Sequence, residues 1–398
     1  MPTVHLEFGG STAARTSKCP GWHVLARTLP ASTGSSDAAA LGTALHTIMD
    51  ECMMNGALYA SFIGTDVEGV RITQQHIDNK IVPAMEAMKT LIKQYDIGSY
   101  EGEVPVALAA YNDVGGTADF VGLSKDGKTV LMVDYKFGDG FMVSAVDNDQ
   151  LMQYLACLHD TEGWREDLSV AENYVVAIVQ PVPTRAGHET INVWAVAGDR
   201  LVSWTQEYMT SVDKARSALL EFKADGTLPP EALLNAGSHC TFCPAQAICP
   251  AKTGLFEKAR RLNPAVINDL AAALTLTDEI DAWIKSVRKL AFEQMDRGDH
   301  LPGFKLVSKR GTRKWSDPAA IEEMVRKKRS IKKEEAYTHT LLSPAQMEQL
   351  FISKKLDAKQ LAAHYASVSS GTTIAPESDP RPAALRLGAL KALVSQLS

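Results

Sequence analysis

The chain has 398 residues, 45% of them hydrophobic and 22% charged, with a formal net charge of −6. That balance is ordinary for a folded globular protein and leaves room for one large domain or two medium ones. It excludes a bilayer-spanning helix, since no apolar run approaches the ~20 residues required, and a net negative charge by itself says nothing in favour of nucleic acid. Residues Met1 to Glu7 lack the basic start and apolar core of a secretory signal. A cytoplasmic location is therefore expected, and six cysteines in a reducing compartment need an account other than a disulfide framework.

In chain order, residues 11–29 read as two short helical pieces broken at Pro20 and Gly21, with Cys19 at the break. A Ser/Thr/Gly-rich loop runs from Pro30 to Ser36. A helix is predicted over 37–60, capped by Asp37 and carrying Leu41, Leu45, Ile48 and Met49 as its apolar stripe. His46 and Asp50, four apart, share one of its faces. Residues 74–95 predict another helix, kinked at Pro83, and residues 101–110 a strand in which Pro105 argues for an edge or a bulge.

The stretch from Gly116 to Lys136 carries the most information. Two apolar, β-branched runs flank the turn Ser124 to Lys128, which contains Asp126-Gly127, a strong hairpin signal. Asp119 lies in the first strand; Asp134 and Lys136 end the second. Side chains alternate along a strand, so Asp134 and Lys136 share a side while Tyr135 points away, and the hairpin can bring Asp119 across to them. Two carboxylates and an ammonium at one sheet end suit phosphodiester hydrolysis. Carboxylate oxygens hold Mg²⁺ or Mn²⁺, which polarises a phosphate, and a lysine orients water or steadies the growing charge.

Beyond the hairpin, residues 147–159 predict a helix capped by Asp147 or Asn148, and residues 174–182 and 190–196 two strands. The order describes an α/β core with a central mixed sheet. An amphipathic helix over 204–222, a long helical run over 262–297 and a short hairpin over 301–315 follow. Then come a basic helix over 318–329, a helical segment over 343–366, and a Ser/Thr/Pro-rich mobile linker over 367–382 before a short last helix. No internal repeat is present.

Cys240, Cys243 and Cys249 fall within ten residues, a metal signature in a reducing compartment. A fourth ligand is needed: Cys19 is the natural candidate, with His239 and His23 as rivals. Cys52 and Cys157 fall on apolar helix faces, where a free thiol is normal. Spacing leaves tetrahedral zinc and a [4Fe–4S] cluster both open. If Cys19 is the fourth ligand, closing so long a loop favours the folded state.

Together His46, the run Gly116 to Asp119, the run Val133 to Lys136, the run Gln150 to Tyr154, and one early cysteine with a late Cys-x2-Cys-x5-Cys resemble a known family. It is the RecB-type branch of the PD-(D/E)XK nucleases, in the subgroup with an iron–sulfur staple found in CRISPR-associated and helicase-linked exonucleases. The likeness is greatest to phage-encoded members, whose pattern is also similar to Leu301–Val307 and Arg313–Trp315. The nuclease likeness covers residues 11 to about 252, with one departure: Ala118 stands before Asp119 where this branch commonly has proline.

The resemblance implies a restriction-endonuclease-like core over 1–255, with a helical, basic region over 256–366 and a linker and terminal helix over 367–398. It implies metal ligation by His46, Asp119, Asp134 and the carbonyl of Tyr135. Lys136 would position the attacking water, and Gln150 and Tyr154 would contact substrate near the scissile phosphate. Glu103 falls where a helper acid often stands, toward the substrate. Cys19, Cys240, Cys243 and Cys249 would hold a [4Fe–4S] cluster, with Zn²⁺ the alternative.

Lys305, Lys309, Arg310, Arg313 and Lys314, then Arg326, Lys327, Lys328, Arg329, Lys332 and Lys333, make the last third the basic part of an acidic chain. Phe304 and Trp315 interleave with them, a mixture suited to phosphate contacts and base stacking on single strands. The expected function is a metal-dependent deoxyribonuclease, an exonuclease leaving 5′-phosphates. It would act on single-stranded DNA or free ends in phage recombination or repair, with a recombination or single-strand-binding protein as a further partner and no membrane. The alternative is a non-catalytic DNA-binding or assembly protein on a nuclease fold with a structural zinc or iron–sulfur site.

Overall fold

The computed structural model describes residues 6–30, 37–139, 141–182, 189–309, 312–337, 341–368, 372–376 and 382. The loop expected up to Ser36 and the short last helix lie outside them, but for Pro30. Two compact units, Met1–Ile280 and Asp281–Ser398, are taken separately.

In the first unit β1 (Phe8–Gly9) precedes α1 (Ala13–Lys18) and α2 (Trp22–Arg27), two short helices separated at Cys19 to Gly21 as their sequence suggests. Then come α3 (Asp37–Met54), the small hairpin β2 (Asp66–Val67) and β3 (Val70–Arg71), and α4 (Gln74–His76). A π-helical turn at Ile77–Ile81 joins α4 to α5 (Val82–Gln94), and this turn is the form the expected kink takes. Pro83, in the first turn of α5, has no N–H to give backwards, and the wider turn before it takes up the missing bond.

The long pair β4 (Ile97–Leu108) and β5 (Tyr111–Ser124) follows, then β6 (Thr129–Tyr135), α6 (Asp149–Leu158), α7 (Arg165–Val170), β7 (Asn173–Val179), β8 (Ile191–Val196) and α8 (Gly198–Asp225). Helix α9 (Pro250–Arg260) follows the cysteine segment, and α10 (Ile267–Arg297) contains the boundary between the units.

Six strands form one mixed sheet. β5 pairs antiparallel with β4 along most of one edge. Its other edge is shared: β6 runs antiparallel along Phe120–Leu123, while β1 runs parallel at Val114 and Gly115. β6 pairs parallel with β7, and β7 antiparallel with β8. β5 thus faces a gap in its ladder from Gly116 to Asp119, between the end of β6 and β1. That gap is where the candidate site opens.

Alternation along β6 sorts the two cores. Val130 and Met132 face one side with Leu151, Leu155, Trp204 and Tyr208 from α6 and α8. Leu131, Val133 and Tyr135 face the other with Leu45 and Ile48 of α3 and Met88 and Leu91 of α5. Helices therefore cover both faces of the sheet, and each fully buried aliphatic side chain contributes about 1.5–3 kcal/mol. A smaller cluster joins Cys19, Trp22 and Leu25 to Leu234, Ala245 and Cys249.

The second unit departs from expectation in its strands. β9 (Phe304–Ser308) and β10 (Thr312–Trp315) do not form a hairpin together. After α11 (Pro318–Arg326), α12 (Lys333–Ala336) and α13 (Pro344–Ser353), β11 (Tyr365–Val368) pairs with β10 and β12 (Thr372–Pro376) pairs with β9, both antiparallel. Part of the stretch expected as a mobile linker is thus ladder, and the expected helix over 343–366 ends at Ser353, with a 3-10 turn at Ala358–His364. The β-branched run Thr372 to Ile374 opposite Leu306 to Ser308 outweighs the Ser/Thr/Pro content that suggested a linker. Ile321, Val325, Met347, Phe351 and Leu361 are the core.

Candidate metal centre and its neighbours

Helix α3 brings His46 to the sheet. Leu45, Ile48, Met49 and Cys52 bury its apolar face, which leaves His46 half-buried above the end of β6. Its ring meets Phe137 edge-on at 5.3 Å between centroids. In the β4–β5 ladder the pairs Gly102–Phe120 and Val104–Ala118 flank Glu103 and Asp119, which places these two carboxylates directly across from each other. Like charges so placed repel. Glu103 is also held at a φ of +49°, in the left-handed region that a non-glycine residue rarely occupies.

Donor atoms of His46, Glu103 and Asp119 all lie within 4.8 Å of one another, the one such set of three or more among the described residues. His46 Nδ1 is 3.4 Å from Asp119 Oδ2, and the same oxygen accepts the Tyr135 N–H at 2.6 Å. The Tyr135 backbone is therefore beside this set, while its ring is buried on the α3 side.

Asp134 and Lys136 form a second group next to it. Asp134 is 3% exposed. Its Oδ1 accepts from Gln150 Nε2 at 2.7 Å, and its Oδ2 stands 2.7 Å from Lys136 Nζ. That oxygen is buried, so its partner is the Lys136 ammonium and not water. Lys136 also donates to Gln150 Oε1 at 3.0 Å, and Gln150 reaches Tyr154 Oη at 3.4 Å. Asn148 caps α6 through the Gln150 and Leu151 N–H groups, and this fixes the helix that carries Gln150 and Tyr154.

Burial and charge set the protonation of these groups. Desolvation pushes Glu103 up to about 7, repulsion from Asp119 and Asp50 adds to it, and His46 opposes, although the residue as a whole is open to solvent. Burial alone would lower His46, but the charge and hydrogen bond of Asp119 outweigh it and raise the imidazole. Asp134 is raised by burial, against the pull of Lys136. Burial lowers Lys136, yet Asp134 beside it raises the ammonium overall. Burial holds the Tyr154 phenol well above its usual range, so it stays neutral.

Such a set fits a divalent cation. Three donors converge, two of them carboxylates that repel each other, and hard oxygen donors with one imidazole are ligands such an ion takes. Glu103, placed at the substrate in the sequence reading, sits in the ligand set itself. Asp134 points instead to Lys136 and Gln150.

Gln153 was not singled out in the sequence. Only 1% exposed, it donates to the Phe8 and Gly115 carbonyls and accepts from Tyr208 Oη at 3.0 Å, tying β1 to β5 beside the gap. Its place one turn after Gln150's neighbour Asp149, on the buried side of α6, was the signal available.

The cysteines meet at one small cavity. Cys19, Cys240, Cys243 and Cys249 all line it, together with Arg15, His239 and Lys252. His23, a rival fourth ligand, contacts Thr16 and Glu7 instead, and His239 Nε2 lies 2.9 Å from the Asn235 carbonyl. Cys52 and Cys157 are buried and free.

In the second unit Arg326, Lys327 and Arg329 are exposed, and Lys327 pairs with Glu323 at 2.7 Å. Trp315 is half-buried, donates to the Leu342 carbonyl and packs on Tyr365, which leaves Phe304 as the open aromatic of that region. Arg310 and the side chains of Arg313, Lys314 and Lys333 lie outside the described residues. No helix among the described residues is long and apolar enough to cross a membrane.

Residues 5–382 match a family described as "Protein of unknown function (DUF2800)", and the chain belongs to that family. A solved structure described as "Crystal structure of SSO0001" is similar over 43% of this chain and 68% of that chain, at 13% identity and a TM-score of 0.21. That score is too low to bear on fold or site.

Proposed function

We propose that this chain is a divalent-cation-dependent nuclease of the PD-(D/E)XK type that hydrolyses DNA phosphodiesters from ends. The observation that carries the reading is the convergence of His46, Glu103 and Asp119, with Asp134, Lys136 and Gln150 locked together alongside.

Bound there, Mg²⁺ or Mn²⁺ would neutralise phosphate charge and acidify water. The protein's own groups do the rest. The Lys136 ammonium stays protonated and sits where it can orient the attacking water or meet charge growing on the phosphate. Gln150 holds Lys136 and Asp134 in register through one amide. Tyr154, neutral and wedged where a Cβ on Gly10 or Gly116 would overlap its ring, offers a hydroxyl at the gap in the sheet. The water oxygen bonds to phosphorus as the bond to the 3′-oxygen breaks, and a 5′-phosphate is the product.

The four cysteines, gathered at one cavity, suit a thiolate-held group, a [4Fe–4S] cluster as in the resembled subgroup or, as the alternative, Zn²⁺. Processing of DNA ends in phage recombination or repair, in the host cytoplasm, is the setting this chemistry fits.

Digestion of labelled linear and circular DNA with Mn²⁺ tests the reading. Linear DNA should be degraded from its ends, circular DNA spared, and Asp134→Ala slowed about a thousandfold. Equal rates for wild type and Asp134→Ala would end it.

A further inference from the structure

Two phenylalanines stand in water where apolar burial would predict neither. Phe141 is 60% exposed and Phe242 72% exposed, and their rings meet edge to face at 5.6 Å between centroids and 86° between planes. They arrive from distant parts of the sequence. Phe141 follows the β6 end that carries Asp134 and Lys136, and Phe242 lies between Cys240 and Cys243.

Neither is on a loose loop. Gln180, 2% exposed, donates to the Gly138 and Phe141 carbonyls at 2.8 and 2.7 Å and accepts from the Val143 N–H at 2.9 Å. Gln246, 6% exposed, donates to the Cys240 and Thr241 carbonyls, and the Cys243 N–H closes on the Cys240 carbonyl at 2.9 Å. Two buried amides thus hold two exposed rings in a fixed corner.

The corner belongs to a groove of about 710 Å³ that also contains Lys136 and Gln150. Small and polar groups, Gly10, Ser11 and Ser144 among them, form other parts of its wall. Its acids are already compensated: Asp147 pairs with Arg200, and Asp149 with Lys18 and the Trp204 N–H. A pre-set aromatic corner, continuous with a cation and a proposed phosphate site, is what an unpaired base and its backbone require. In a duplex each base already stacks on its neighbours and offers no free face.

We infer that Phe141 and Phe242 form a base-stacking clamp for single-stranded DNA, which holds one nucleotide of the strand whose phosphate lies at Lys136. The inference rests on the nuclease reading for the place of the phosphate at Lys136 but not for the clamp itself. The cysteine loop, besides lining the thiol cavity, then presents Phe242 to the substrate groove.

Fluorescence anisotropy of the full-length protein with labelled oligo-dT, and with an abasic oligonucleotide of the same length, tests the clamp in EDTA. Phe141→Ala and Phe242→Ala should each weaken oligo-dT binding about tenfold and leave abasic binding unchanged, while Phe242→Trp should restore the wild-type affinity. Unchanged oligo-dT affinity in both alanine variants overturns the proposal, as does an equal loss on the abasic strand or no binding by the wild type. Hydrolysis of the abasic oligonucleotide with Mn²⁺, whose diesters carry no base, separates the two claims. Both alanine variants should match the wild type there. A wild type that binds oligo-dT through the rings but hydrolyses neither oligonucleotide would defeat the nuclease reading and leave the clamp standing.

Discussion

Glu103 is the residue on which the site's electrostatics turn. Its folded pKa is pushed from 4.5 to about 7, so between these values the metal-free folded chain holds more protons than the unfolded one. Stability therefore falls as pH rises through that window. Glu103→Gln removes the fall: in EDTA above about pH 7 it should melt about 2 °C higher than wild type, after discounting for solvent screening. Below pH 4.5 the two should coincide, and with Mn²⁺ the order should reverse, because the cation stabilises only the form that binds it. Differential scanning fluorimetry across pH reads this, and a flat difference would remove Glu103 from the site. Lys136 makes a second test. Lys136→Met leaves Asp134 buried without its ion pair, a loss of about 3–5 kcal/mol. Adding Asp134→Asn should recover part of it in urea melts, since the two residues act as a pair.

At the scale of elements, the seating of β5 decides whether the site exists. A Cβ at Gly115 would overlap the Val106 carbonyl of β4, where β1, β4 and the Gln153 amide converge. Gly115→Ala should cost about 1–3 kcal/mol. Gly42, in α3 with open space around it, should gain about 0.5–1 kcal/mol as alanine. Chemical denaturation of both variants checks the contrast.

The same elements show what was legible in the sequence. The Asp126-Gly127 turn and the alternation around it specified the β5–β6 hairpin, and so brought Asp119 and Asp134 together on local pattern alone. Periodicity likewise gave α3 and α6. Two-residue β1 carries no such pattern, and its parallel pairing with β5 is set by contacts over a hundred residues away. Glu103 could not be ranked as a ligand, because its approach to His46 depends on a left-handed backbone that glutamate does not advertise. The late strands of the second unit were missed because local hairpin reasoning favours near neighbours, whereas β9 and β10 pair across some fifty to seventy residues.

For the whole molecule, the cysteine cavity joins Cys19 near one end of the first unit to Cys249 near the other. A group held by those four thiolates would tie α1 and α2 to the segment before α9, with a stabilisation that grows with loop length. Anaerobically purified protein should be brown and absorb near 400 nm, roughly as thiolate-bound iron does. Cys249→Ser should bleach it, lower the melting temperature, and speed amide exchange in α1 and α2 while α5 stays protected. Uniform exchange across both regions would mean the thiols are not a staple.

The convergence of His46, Glu103 and Asp119 is tested most directly by diffraction from Mn²⁺-soaked crystals, collected for manganese anomalous scattering. An anomalous peak bonded to His46, Glu103 and Asp119, and lost in Asp119→Asn, is the expected result. A map with no peak among those three side chains, or with manganese bound elsewhere and the three still apart from it, would contradict it.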